Sequence, residues 1–179
     1  AARDFIESHG GQCFLKAPVF RLHFKEREFQ EAELEGGRRV SAEILLSTIP
    51  FAALRKILPD RMLYDDPFFA PLGRLRASPI TAINLWFDRE ITKSPFVGFW
   101  GTRIHWLFNK GRLLSEGPPY LSLVISGAHA HVGKSPAELF ELARRDLGRC
   151  LPEFGGAKVL RWTVVKEPQA TISPVPGSD

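Results

Sequence analysis

Alternating apolar and polar residues are the most regular feature of the chain, and they predict strands. From Val19 to Lys25 every second residue is polar, and Phe29 to Leu34 follows a charged turn, as expected for two paired strands. From Ser78 to Phe87 the alternation is longer, and it predicts two sides, one with Thr81, Ile83, Leu85 and Phe87 and the other with Ile80, Ala82, Asn84 and Trp86. Asn84 should then have a hydrogen-bond partner. Further strand-like stretches lie at residues 96–100, 104–109, 120–127 and 159–165. Strands at such short intervals predict an antiparallel sheet in this part of the chain.

Two other stretches have the apolar spacing of helices. Ser135-Pro136-Ala137-Glu138 forms a capping box with proline in the first turn, and apolar residues then recur at helical spacing until Pro152. A shorter helix is predicted from Pro50 to Leu58, where Pro59 stops it. The longer helix would shield one face of the sheet, and together these elements indicate an α+β fold.

A third pattern lies between the two strand-rich regions. Gly36-Gly37 supply the positive φ angles of a tight hairpin turn, and Ile44-Leu45-Leu46 is apolar on both sides, as in a strand covered on both faces. Ser47 and Thr48 offer hydroxyl and N–H groups where that strand would end, and Pro50 suits a first helical turn. Ligands bind at this end of strands in open α/β sheets. The alternative is that Ser47 and Thr48 only cap the next helix.

Composition narrows the class of protein. The 179 residues are 44% hydrophobic and 25% charged, an ordinary globular composition. The net charge is +4, but basic residues are scattered among acidic ones, so we expect no nucleic-acid partner. No apolar run approaches the ~20 residues of a membrane span, and no signal peptide is visible. Cys13 and Cys150 have no CxxC or metal-like spacing, which indicates a reducing compartment.

We therefore expect a cytoplasmic protein. Its mild positive charge is compatible with an anionic membrane surface, so peripheral contact with the inner membrane is a further hypothesis.

Most catalytic signatures are missing from the sequence. It contains no GxGxxG, P-loop, HExxH or GxSxG motif. His129 and His131 have no third ligand nearby and are more typical of exposed polar residues than of a metal site. Asp65-Asp66 and Asp88-Arg89-Glu90 indicate turns and not a paired acid and base. We predict no catalytic side chain and no metal ligand.

A series of short motifs resembles the flavin-containing amine oxidoreductase superfamily. The first consists of two glycines, Val-x-Ala-Glu, three apolar residues, Ser-Thr-Ile-Pro and then Phe51 to Pro59. Leu85-Trp86-Phe87-Asp88 and Ala170-Thr171-Ile172-Ser173-Pro174 look more like one branch, the squalene-associated FAD-dependent desaturases that include hydroxysqualene dehydroxylase. The resemblance extends over nearly the whole chain.

The resemblance implies FAD as cofactor and three segments. Residues 1–58 would be part of an FAD-binding, Rossmann-like domain with a β-meander. Residues 59–167 would be a substrate-binding domain with an antiparallel sheet and flanking helices, and residues 168–179 a return segment toward the FAD domain. Five residues would lie beside the cofactor by the same resemblance: Val19, Ser47, Thr48, Pro50 and Thr171. The family's dinucleotide fingerprint and C-terminal Gly-Asp motif are absent, so we expect an internal piece of a longer enzyme.

The predicted sheet carries many aromatic residues. Residue type alone favours an ordinary hydrophobic core. The alternative is an apolar wall along a tunnel for a long hydrocarbon, because such pockets are lined by aromatic side chains with few polar anchors. The resemblance supports that alternative, since this sheet forms the substrate side in the superfamily. The substrate-binding residues would then be Trp86, Trp100, Trp106 and Phe108.

The resemblance also bears on the reaction. Members that oxidise amines commonly carry a lysine near the reactive flavin nitrogen, on the strand matching Ser78 to Phe87, where Thr81 or Ala82 falls nearest here. The missing lysine favours the isoprenoid branch. The implied function is an FAD-dependent oxidoreductase acting on an apolar, squalene-type isoprenoid, with dehydroxylation of hydroxysqualene as the specific hypothesis. An amine or protoporphyrinogen oxidase and a non-catalytic lipid-binding module are the alternatives.

Overall fold

The computed structural model describes residues 1–114 and 118–176, which form two compact units. The first unit spans Ala1–Leu75 together with the chain from Val175, and the second spans Arg76–Pro174. The first consists of a short helix, a meander, two helices and a 3₁₀ turn: α1 (Ala2–Ser8), β1 (Val19–Lys25), β2 (Glu28–Leu34), β3 (Arg39–Ser41), α2 (Phe51–Ile57), α3 (Asp60–Tyr64) and Ala70–Gly73.

The meander is a three-stranded antiparallel sheet, and its first two strands are those that alternation predicted over Val19 to Leu34. Its strand order is β1-β2-β3. The turn into β3 contains Gly36 and Gly37 with φ of +87° and +83°, which confirms the predicted positive-φ positions. Leu22 and Ala32 from the meander share a buried cluster with Leu58 and Met62. The sheet is thus half-buried, as its alternation requires.

The predicted strand at Ile44-Leu45-Leu46 is wrong. This segment is irregular, and the side chains of Ile44 and Leu46 are 84% and 83% exposed. A strand that is apolar on both faces needs paired neighbours and cover from both sides. The pairing in this unit ends with β3 at Ser41, and among the described residues none pairs with Ile44 to Leu46. The apolar run therefore remains irregular and exposed.

The second unit is a five-stranded antiparallel sheet with one long helix. Its sheet order is β5-β6-β7-β4-β8. The elements are β4 (Arg76–Phe87), β5 (Phe96–Gly98), β6 (Trp106–Asn109), α4 (Lys110–Leu113), β7 (Tyr120–Ser126), α5 (Pro136–Cys150), the 3₁₀ turn Pro152–Gly156 and β8 (Val159–Ser173). The antiparallel sheet and flanking helices confirm the predicted α+β class.

Helix α5 packs on one face of this sheet. Ile83, Leu85 and Phe87 from β4 are at most 1% exposed and share the core with Leu139 and Leu147 of the helix. The helix begins as predicted, because the Ser135 hydroxyl accepts a hydrogen bond from the Glu138 N–H. The Glu138 carboxylate accepts the Ser135 N–H at 2.7 Å in return. The β4 residues that alternate with Ile83, Leu85 and Phe87, namely Asn84 and Trp86, therefore face away from α5.

Candidate functional site

The side of the second unit's sheet opposite α5 carries aromatic side chains from four strands. We call it the aromatic face, and it is defined by Trp86, Phe96, Trp106, Phe108 and Tyr120. Strand register brings them together, since Trp86 pairs with Tyr120 and Phe96 with Phe108. Phe96 and Trp106 remain 58% and 44% exposed. The face is therefore not a closed core within its unit, and it includes three of the four predicted substrate residues.

The rings on this face are ordered by contacts with one another. Trp86 stacks on Tyr120 with ring centroids 4.5 Å apart, and Trp106 stacks on Phe108 at 6.4 Å. Gly98 lies opposite Trp106, and a Cβ at this position would come within 3.3 Å of the indole. The missing side chain at Gly98 thus leaves the space that the Trp106 ring occupies.

A short hydrogen-bond chain crosses the aromatic face. The Tyr120 hydroxyl donates to Asn84 Oδ1 at 3.1 Å, and Asn84 Nδ2 donates to Thr163 Oγ1 at 3.3 Å. The sequence predicted a partner for Asn84, and this is confirmed, but it did not identify Tyr120 or Thr163. The alternation Tyr120-Leu121-Ser122 was the available signal, because it places Tyr120 on the same side as Ser122.

Two further predicted residues, Thr171 and Trp100, lie outside the five residues that define the aromatic face. Thr171 pairs with Ser78 near the far end of β4, beyond the register shift between Ser78 and Ile80. A rise of ~3.3 Å per residue puts Ser78 about 26 Å from Trp86 along β4. Trp100 lies in the loop after β5, beyond the paired strand residues, and is 100% exposed. The structure does not bring Trp100 to the aromatic face.

The position matching the family lysine divides between the two sides of β4. Thr81 is fully buried on the α5 side, and its hydroxyl has no hydrogen-bond partner among the described residues. Ala82 lies on the aromatic face, opposite Val124 and Val165. The side chain nearest the open surface is therefore a methyl group, which can neither transfer a proton nor bind an ion.

A groove in the first unit brings together three predicted cofactor residues. Val19, Ser47 and Thr48 line a groove of about 480 Å³ whose remaining wall is mostly apolar and includes Ala53 and Ile57 of α2. Pro50 caps α2 directly after this segment. In the described part of the chain, the hydroxyls of Ser47 and Thr48 have no side-chain hydrogen bond. They do not cap α2, so the capping alternative is wrong.

Neither a metal-binding cluster nor a membrane-spanning helix is found among the described residues. They include no group of three or more His, Cys, Asp or Glu side chains arranged to hold a metal ion. Among the same residues, no helix has both the length and the apolar character needed to cross a bilayer.

Comparison with known proteins identifies the relatives of this chain. The 15-cis-phytoene desaturase of Solanum lycopersicum is 24% identical over 98% of this chain and 32% of its own length. The 15-cis-phytoene desaturase of Synechococcus elongatus is 25% identical over 97% of this chain and 40% of its own length. This chain thus spans about a third of the tomato relative, as its 32% coverage shows.

Solved structures share the fold at lower identity. A putative protoporphyrinogen oxidase from Exiguobacterium sp. 255-15 superposes with a TM-score of 0.65 at 13% identity, covering 92% of this chain and 37% of that one. A redesigned putrescine oxidase gives a TM-score of 0.64 at 17% identity, covering 88% and 36%. The sequence model described as flavin containing amine oxidoreductase matches residues 1–179, which confirms the superfamily expected from the motifs. This chain belongs to the flavin containing amine oxidoreductase family.

Proposed function

We propose that this protein is an FAD-dependent oxidoreductase whose substrate is a long, apolar isoprenoid of the squalene or phytoene type. The aromatic face is the observation that carries the proposal. It is partly exposed, and its aromatic rings lie beside the apolar side chains of Ala82, Val124 and Val165, with the Tyr120–Asn84–Thr163 hydrogen bonds among them. The similarity of this chain to 15-cis-phytoene desaturases supports an isoprenoid as the substrate class.

The groove beside Val19 fits one part of FAD. Its apolar wall can accept a flat aromatic ring, and the Ser47 and Thr48 hydroxyls can donate or accept hydrogen bonds at its edge. The sequence holds no glycine-rich loop of the kind that binds a diphosphate, so we assign no residue here to the phosphates. When bound, FAD would supply the hydride transfer that this chain's side chains cannot perform.

The role of the aromatic face is to bind and orient the substrate and to exclude water. Burial of apolar area drives association of such a substrate at about 25 cal/mol per Å². The stacked Trp86 and Tyr120 rings give that surface a fixed shape, and the Asn84 hydrogen bond holds the Tyr120 ring in place. No acid or base is required from this face, in agreement with the methyl group at Ala82.

A cationic amine is a poorer fit to the same surface. An ammonium group needs a carboxylate or a free aromatic face. The Trp86 ring already has the Arg161 guanidinium 4.8 Å from its centroid. The positive charge of Arg161 would repel an ammonium group there, which favours an isoprenoid over a polyamine.

The test is a comparison of substrates on the FAD-loaded protein without oxygen. Oxidised protein is mixed with phytoene or squalene, reduced protein with hydroxysqualene, and oxidised protein with spermidine, while flavin absorbance is recorded. We expect a change of flavin redox state with an isoprenoid and none with spermidine. Flavin reduction by spermidine, followed by peroxide release once oxygen is admitted, without any isoprenoid response, would contradict the proposal and support an amine oxidase.

A further inference from the structure

A second groove, in the second unit, is lined by basic side chains. We call it the basic groove, and it has a volume of about 520 Å³. Its charged and titratable lining residues are Arg103, His131, Lys134, Arg145, Asp146 and Arg149. Four cations thus face one carboxylate. With His131 neutral, the groove has an excess of three positive charges, most of the chain's net charge of +4.

The cationic groups of this groove lack partners. In the ranges 1–114 and 118–176, the side chains of Arg103, Lys134, Arg145 and Arg149 form no ion pair or hydrogen bond. Arg145 and Arg149 are four residues apart on α5, a spacing at which like charges repel. By contrast, the neighbouring Arg144 pairs with Glu141 at 3.3 Å. An anion in the groove would relieve the repulsion that the protein itself leaves uncompensated.

The carboxylate in the groove is already used. Asp146 is buried, and its Oδ2 accepts the backbone N–H groups of Arg103 and Ile104 at 2.7 and 2.9 Å. These bonds fix the loop that carries Arg103 against α5, 42 and 43 residues away along the chain. Asp146 therefore positions one cation and leaves the four charges available to a ligand.

His131 reports on the electrostatics of the groove. Burial lowers its pKa below the usual value, and the charges of Arg103 and Lys134 lower it further. His105 acts in the same direction, whereas Asp146 opposes it. Like the Asp146 carboxylate, a bound anion would stabilise the protonated form of His131 and would therefore raise its pKa.

We propose that the basic groove binds phosphate groups. Arginine and lysine in convergent positions are the side chains that hold phosphate oxygens by charge-assisted hydrogen bonds. No residue that lines the basic groove belongs to the aromatic face or lines the groove beside Val19. The phosphate can be that of a soluble diphosphate or of an anionic lipid headgroup, since both present the same oxygens.

The test measures binding of both sources to the whole protein. Inorganic diphosphate is titrated by calorimetry, and vesicles of phosphatidylglycerol in phosphatidylcholine are assayed by co-sedimentation against pure phosphatidylcholine. The double variant Arg145→Gln/Arg149→Gln should weaken binding roughly tenfold or more, because it removes two of the four cations. The control Arg144→Gln removes one exposed charge from the same helix outside the groove and should leave binding unchanged.

The outcomes separate the two sources. Saturable diphosphate binding without vesicle binding assigns a soluble phosphate, and binding to anionic vesicles without diphosphate binding assigns a headgroup. In either case the NMR titration of His131 should shift to higher pH with ligand. No saturable binding of either probe would overturn the proposal, as would an equal loss in Arg144→Gln. Flavin reduction by isoprenoids is a separate measurement, so either proposal can fail alone.

Discussion

The Trp86 indole and the Tyr120 phenol stack almost parallel, with centroids 4.5 Å apart and planes 6° apart. The two residues are direct partners across β4 and β7, so the stack is a consequence of strand register. The Tyr120 hydroxyl also donates to the buried Asn84. One tyrosine thus connects the aromatic and the polar contacts of the aromatic face.

Removing the Tyr120 hydroxyl should destabilise the fold. Tyr120→Phe keeps the stack but leaves Asn84 Oδ1 buried without its donor, which costs about 1–3 kcal/mol of unfolding free energy. Urea unfolding measures the change. Tyr64→Phe is the matched control, since Tyr64 is exposed and we expect no loss there. Equal stability of Tyr120→Phe and the parent protein would show that the Asn84 bond contributes nothing.

A methyl group at Gly98 should displace the Trp106 ring. The new Cβ would lie 3.3 Å from the indole, and the partly exposed ring can move away. Gly98→Ala should therefore change Trp fluorescence and weaken isoprenoid binding, with a stability change within about 0.5 kcal/mol. Gly133→Ala is the control, because a Cβ there meets no atom within 4 Å. Unchanged fluorescence and affinity in Gly98→Ala would contradict the packing described for Trp106.

The stability of the protein should depend on Asp66 at acid pH. The Arg27 guanidinium donates to this carboxylate at 2.6 Å and 3.1 Å and holds the Asp66 pKa below its usual value, although burial acts to raise it. The Phe68 N–H lowers it further. The folded state therefore binds the Asp66 proton less readily than the unfolded state, whose pKa is near ~3.9. The stabilisation is present above that value and is lost as pH falls through the lower folded pKa.

Unfolding free energies measured from pH 7 to below pH ~4 test this dependence. The unfolding free energy of Asp66→Asn should fall less at acid pH than that of the parent protein. Asp65→Asn changes an exposed neighbour and should show the same fall as the parent protein. An acid-side slope in Asp66→Asn identical to that of the parent would exclude this ion pair as its source.

The start of α5 offers a smaller and independent prediction. Ser135→Ala removes the acceptor of the Glu138 N–H and should cost about 1 kcal/mol of unfolding free energy. Ser94→Ala is the control, because Ser94 is exposed and only its backbone N–H forms a described hydrogen bond. Urea unfolding of both variants decides, and equal losses would argue against the capping box.

Short-range patterns predicted the second unit well. Alternation along β4 correctly placed Thr81, Ile83 and Phe87 on one side and Trp86 on the other, because α5 covers only one face of the sheet. The capping box located the start of α5, because its two hydrogen bonds join residues only three positions apart in the sequence.

Long-range packing explains what the sequence did not predict. The apolar run at Ile44 looked like a buried strand, but burial depends on partners that the run itself does not encode. β8 continues past the predicted Val165 to Ser173, because the register shift between Ser78 and Ile80 accommodates Pro168 in a bulge. The basic groove was missed because Arg103 and Arg149 meet only in the folded sheet–helix unit.

The proposed role of the aromatic face in binding substrate is tested most directly by mapping where a long isoprenoid contacts the protein. A squalene analogue carrying a diazirine is bound, photolysed, and its adducts are located by mass spectrometry, with unlabelled squalene as competitor. This role predicts labels on the aromatic face, at Trp86, Trp106, Phe108 or Tyr120, that unlabelled squalene reduces. Labels that no competitor reduces, or that fall only on α5 and the first unit, would contradict it.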